Sequence, residues 1–109
     1  MDVNSLDYSK ENIEKILKSK NVKKITETLL YLTFNIDDFD WVQNTMLRMI
    51  SNPDENISRL AITCLGHLAR IYSKIDREKV IPCLKLKAKD KRFVGQVEDT
   101  LNDINMFAK

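Results

Sequence analysis

A chain of 109 residues and 12.7 kDa has the length of one domain and leaves none for a catalytic domain plus an accessory one. Hydrophobic residues at 43% and charged residues at 31% exclude intrinsic disorder, and two glycines with two prolines are too few to punctuate a β-sandwich or barrel, so the chain is read as all-α. Eighteen Lys and Arg against sixteen Asp and Glu, a net charge of +2, are too balanced for the electrostatic footprint that dominates nucleic-acid affinity.

The opening MDVNSLDYSK is acidic and polar, unlike a signal peptide, and no apolar run approaches the ~20 residues of a membrane span. The expectation is a mature chain that starts here and has no membrane partner. Ser9 is placed to cap a short helix carrying Ile13, Ile16 and Leu17, and the segment from Asn21 to Phe34 puts Ile25, Leu29 and Leu32 on one side; these two form a hairpin. The acids Asp37, Asp38 and Asp40 open a third helix near 38–51, with Phe39, Val42, Met46, Met49 and Ile50 on its buried side. The clearest stripe is Ile57, Leu60, Ala61, Cys64, Leu65, Leu68, Ala69 and Tyr72, at helical spacing throughout. That helix is set at 53–73, with Asn52 as cap and Pro53 at its first position. Asp76 caps a helix over 77–89, where Pro82 removes a donor and bends the helix after its first turn unless the helix starts late. Asp90 caps the last helix, 91–107, which turns Phe93, Val97, Leu101 and Ile104 inward.

Laying the even-numbered helices over each other reveals a repeat. Leu29, Leu65 and Leu101 are each 36 residues apart; Ile25, Ala61 and Val97 align, as do Leu32, Leu68 and Ile104. Hairpins at about 9–34, 38–73 and 77–107 account for nearly the whole chain. No single hairpin covers its own apolar side, so stacking closes the three into one core. Ile57, Ser58 and Arg59, followed by Ala61, Cys64, Leu65 and Gly66, resemble the second helix of a HEAT-type repeat, and VIPCLKLKAKD at 80–90 resembles the first helix of the next. The family's arginine is displaced here to Arg59, and Val94 stands at that place in the last repeat. The resemblance implies one domain over 1–109, a short right-handed α-solenoid of three HEAT-like hairpins and six helices.

Catalytic chemistry finds little support. His67 is the single histidine and has no nucleophile or metal partner at a suitable spacing; Gly66 and Gly95 are isolated and cradle no phosphate. Cys64 and Cys83 read as reduced core residues. Asp37, Asp38 and Asp40 read as helix capping plus an acidic patch, since a calcium loop needs spaced oxygens and a glycine. The run Lys85, Lys87, Lys89, Lys91 and Arg92 reads as a solvated face; as a phosphate-binding strip it lacks interleaved aromatics. The chain is thus expected to be no enzyme, with no cofactor, no metal and no small-molecule substrate.

The second helices of a stack form a continuous wall. With the 36-residue offset, Tyr31, His67 and Asp103 make one rung, Glu27, Thr63 and Asp99 the next, and Phe34, Arg70 and Met106 a third, with Leu30 and Ile62 adding apolar groups outside the core stripes. Such a mixture of aromatic, Arg and Met side chains is enriched at protein interfaces. The plain alternative is that Leu30, Tyr31 and Phe34 close the amino-terminal end of the core, and Trp41, one residue off its helix's stripe, is open to the same two readings.

The MDVNSL leader, the ITCLGHLARI helix and the following KVIP resemble immunity proteins of bacterial contact-dependent growth-inhibition toxin systems. The resemblance implies a cytoplasmic, stoichiometric inhibitor whose partner is a cognate toxin domain, commonly a nuclease. Acids at Glu27, Asp37, Asp38, Asp40, Asp99 and Asp103 would then take the place of phosphates at a cationic active site, with Tyr31, Phe34, Trp41, His67 and Arg70 supplying anchors. The competing readings are a generic HEAT-like interaction module and, less favoured, a nucleic-acid-binding repeat on the Lys85 to Arg92 strip.

Overall fold

Among the described residues, five of the six α-helices begin at a side chain that satisfies otherwise orphaned backbone N–H groups. In the computed structural model, which describes residues 9–109, the Ser9 hydroxyl accepts from Asn12 N at 3.2 Å and starts α1, Lys10–Leu17. The MDVNSL leader lies outside the described residues. Asn21 caps α2, Val22–Asn35, and Asp38 caps α3, Phe39–Met49. Asp54 caps α4, Glu55–Tyr72, accepting from both Asn56 N and Ile57 N; Ser73, in the left-handed region at φ 54°, ends it. Asp76 caps α5, Arg77–Lys87. Asp90 caps a single 3₁₀ turn, Lys91–Phe93, that leads directly into α6, Val94–Phe107. Among the described residues there is no strand, and the chain is all-α.

Two details differ from the sequence expectation, and one agrees with it. The cap of α4 is Asp54, not Asn52; the Asn52 amide oxygen accepts from Asp54 N at 2.8 Å instead, and Pro53 sits outside the helix between them. The last helix starts as a 3₁₀ turn because Asp90 takes Arg92 N while Phe93, 1% exposed, is drawn into the core. In α5, Pro82 lies inside a helix that continues past it. Pro82 and Glu78, whose carbonyl it leaves without a partner, are both exposed, so water can serve that group.

α4 is the centre of the molecule. It packs against α2, α3 and α6, and each hairpin closes on itself through α1 with α2, α3 with α4, and α5 with α6. The even helices therefore form one row and the odd helices back it. The odd row is tied by polar side chains: Arg48 of α3 holds Glu14 of α1 through two hydrogen bonds, at 3.0 and 2.7 Å, and Gln43 Oε1 of α3 accepts from Asp76 N, at the start of α5, at 2.9 Å. One apolar cluster runs through all six helices.

Helical repeats predict most of this core, with exceptions that follow from position in the row. Leu29 and Leu65 are 0% exposed, whereas Leu101 is half-buried, because among the described residues no further helix covers the outer flank of α6. Leu60 is also half-buried, whereas Ile62, expected outside the core, is fully buried where α6 crosses α4. The polar residues enclosed with them are satisfied locally. Ser58 Oγ donates to Ile50 O at 2.6 Å and Thr100 Oγ1 to Ile62 O at 3.0 Å, joining α4 to α3 and to α6. Burial pushes the Cys64 thiol up to about 11, against a smaller opposing hydrogen bond with Thr33, and raises Cys83 as well, so both cysteines are protonated thiols at neutral pH.

Candidate protein-binding face

α2, α4 and α6 run in the same direction, since the contacts between neighbours advance together along both chains. From α4 to α6 these are Arg59 with Gln96 at 3.4 Å, Ile62 with Thr100 at 3.0 Å, and Arg70 with Asp103 at 3.0 Å. From α2 to α4, Val22 and Ile25 share a cavity wall with Asp54 and Ile57, and farther along the Phe34 and His67 rings meet at 5.3 Å between centroids. The outer flanks of three parallel helices thus form one continuous face.

That face differs on its two sides. Between α4 and α6 it is polar and tightly bonded. Arg70 donates to Asp103 Oδ1 through both Nε and Nη2, at 3.3 and 3.0 Å, and its guanidinium lies 5.3 Å from the centre of the Phe107 ring. Gln96 Nε2 donates to Thr63 Oγ1 at 3.2 Å. Gly66 makes this approach possible: a Cβ there would lie 2.9 Å from Asp103 Oδ2. Between α2 and α4 the surface is apolar. Phe34 is 56% exposed and Leu30, one turn earlier, is 40% exposed; across from them, Ile71, one turn beyond His67, is 47% exposed. Met106, on α6, is 66% exposed. An exposed aromatic ring held by a neighbouring ring, on helices that also expose aliphatic groups and, one turn from His67, an ion-paired Arg, has the make-up of an interface anchor.

The expected rungs are displaced. His67 meets Phe34, Arg70 meets Asp103 and Thr63 meets Gln96, each pair 33 residues apart and not 36. Side chains of packed helices lodge between the turns of the neighbour, not level with the equivalent residue, which shifts each surface partner by about one turn. Tyr31 is half-buried, while Glu27 and Asp99 are exposed.

The remaining predicted site residues lie elsewhere. Asp38 Oδ1 accepts from Trp41 N at 3.3 Å, and Asp38 Oδ2 accepts from Lys10 Nζ at 2.8 Å; the same ammonium stands 4.8 Å from the centre of the Trp41 ring. Lys10, and to a lesser degree the Trp41 N–H, hold the Asp38 carboxyl below the usual carboxylate range. Asp38 and Trp41 thus belong to the α1–α3 side, behind the even-helix row. Asp37 and Asp40 flank them, exposed. Two of the expected acids, Asp38 and Asp103, are already matched by Lys10 and Arg70. Ile71, exposed, and Phe107, half-buried under Arg70, join this face although their spacing reads as the flank of a core stripe; only the position of the neighbouring helices reveals them. Among the described residues no group of three or more His, Cys, Asp or Glu side chains is placed to hold a metal ion.

The basic strip is also less open than its sequence suggests. Arg92 donates to both Asp90 oxygens, the shortest contact being 2.6 Å, and to Glu55 Oε1 at 3.2 Å, and Lys87 Nζ lies 4.3 Å over the Phe93 ring. The Arg92 side chain first, and its backbone N–H second, bring the Asp90 carboxyl down to about 2. A carboxyl lowered on folding favours the folded state above its unfolded pKa, and that contribution fades as pH falls toward about 2. A carbon-detected NMR titration is expected to place the Asp90 midpoint at about 2, and Arg92→Ala to return it toward the ordinary Asp range.

No protein-family model, curated protein or solved structure matches this chain.

Proposed function

We propose that this protein binds a cognate bacterial toxin domain, a nuclease, and neutralises it in the cytoplasm by covering the active site, as a stoichiometric binder and not a catalyst. The observation that carries the reading is the anchor on the α2–α4–α6 face: Phe34, 56% exposed against His67, with the Arg70–Asp103 pair starting one turn farther along α4. Three hairpins with parallel second helices support a short right-handed α-solenoid of the HEAT type, whose row of second helices offers a rigid wall to a partner. Glu27 and Asp99 flank the anchor as exposed acids and would face the cations that a nuclease uses to hold phosphate.

The test is inhibition of a nuclease toxin domain taken from a strain that encodes one beside this gene. One equivalent of the chain is expected to abolish cleavage. Phe34→Ala is expected to weaken the complex by about 2 kcal/mol or more, measured by calorimetry, because truncating a central aromatic anchor leaves its pocket on the partner unfilled. Phe34 is exposed, so the variant folds; its thermal unfolding should match that of the parent. Full nuclease activity in the presence of excess chain overturns the reading.

A further inference from the structure

The three turns inside the hairpins lie along one edge, at the start of α2, α4 and α6. The first and second turns share a cavity of about 300 Å³, and the second reaches the third through the Glu55–Arg92 ion pair. The cavity has an apolar floor of Val22, Ile25, Pro53 and Ile57 and a rim that carries Lys20. Asp54, the carboxylate of the lining, is committed to capping α4.

Apart from Asp54, whose carboxylate caps α4, the charge nearest this cavity is positive. From 15 to 24 the chain holds Lys15, Lys18, Lys20, Lys23 and Lys24 with no acid among them, and all five are exposed. Among the described residues no carboxylate lies within ion-pair distance of Lys20, Lys23 or Lys24. The amino-terminal, positive ends of the even helices point to the same edge and reinforce the field.

We propose that this edge is a second docking surface, for an acidic protein segment that places an apolar side chain in the cavity between the first two turns and its carboxylates on Lys20, Lys23 and Lys24. The apolar floor separates this occupant from a nucleic acid, whose phosphates gain nothing from Val22, Ile25 and Ile57. The lysines at 15–24 are also divided from those at 85–91 by Asp54 and Glu55, which repel a continuous phosphate backbone. Lysine ammonium groups on flexible stems match carboxylates of an extended segment without demanding a fixed fork geometry.

The inference does not rest on the toxin reading, because this edge and the Phe34 face are different surfaces. The probe is a short synthetic peptide of Asp and Glu with a single central Leu, fluorescein-labelled, titrated with the full chain at low salt and followed by anisotropy and by amide shifts. Binding is expected to move the amides of Lys20, Val22 and Ile57, to weaken as salt rises, and to be unchanged in Phe34→Ala. Lys20→Glu with Lys24→Glu is expected to weaken it by roughly tenfold or more, a difference of about 1.4 kcal/mol, with the helical circular dichroism preserved because both residues are exposed. The matched peptide with Ser in place of Leu should lose affinity by a similar factor. Equal binding of the Ser peptide, amide shifts confined to other surfaces, or tighter binding of a DNA duplex than of the Leu peptide would each overturn the proposal.

Discussion

Leu65→Ala is expected to lower the free energy of unfolding by about 3 to 4 kcal/mol. Leu65 is 0% exposed and lies in the middle of the helix that α2, α3 and α6 all pack against. Removing its branched end takes away transfer free energy and leaves a cavity that three rigid neighbours cannot close, which places the cost above the low end of the range for such changes. A domain of this size has a total stability of about 5 to 15 kcal/mol, so the variant forfeits a large part of it. Chemical denaturation should show a midpoint shifted well down with an unchanged slope. Leu101→Ala, at the equivalent position of the half-buried outer helix, should cost clearly less. Equal losses at the two sites would mean that α4 is not the central helix.

Gly66→Leu is expected to be comparably damaging, by about 3 kcal/mol, through the opposite mechanism. Even a Cβ at Gly66 meets Asp103 Oδ2 at 2.9 Å, with Thr100 Oγ1 at 3.6 Å behind it. A bare methyl can be accommodated if the Asp103 carboxylate swings aside, at the expense of its bonds to Arg70. A leucine cannot, and must wedge α6 away from α4, breaking the hydrogen bond from Thr100 to Ile62 O as well. Gly95 provides the contrast. Nothing lies within 4 Å of a Cβ built there, so Gly95→Ala is expected to raise stability by about 0.5 kcal/mol through helix propensity alone. Thermal unfolding of the two variants should therefore shift in opposite directions.

Sequence periodicity revealed the helices and most of the core because both follow from local spacing. The stripe from Ile57 to Ala69, the caps Ser9, Asp76 and Asp90 and the acids that open α3 are visible without any tertiary information. What the spacing does not encode is how far one helix slides and turns against the next. A 36-residue register aligned Tyr31 with His67, but the settled contact is Phe34 with His67. Ile62 lies outside the stripe that spacing defines yet is fully buried, because α4 buries more than one stripe when helices flank it on both sides. The acids at 37–40 suggested one continuous acidic surface. Asp38 instead turned to Lys10, a partner 28 residues away that lies on the opposite row from the predicted face.

The central place of α4 also governs how the molecule comes apart. Long helical arrays lose their outer units one at a time, because each unit depends only on its neighbours. Here both outer members of the even row, α2 and α6, lean directly on the same middle helix, and the buried hydroxyls of Ser58 and Thr100 link that helix to α3 and α6. No hairpin can detach without baring one flank of α4. The three units therefore melt as one, and the wall offered to a partner is either complete or absent.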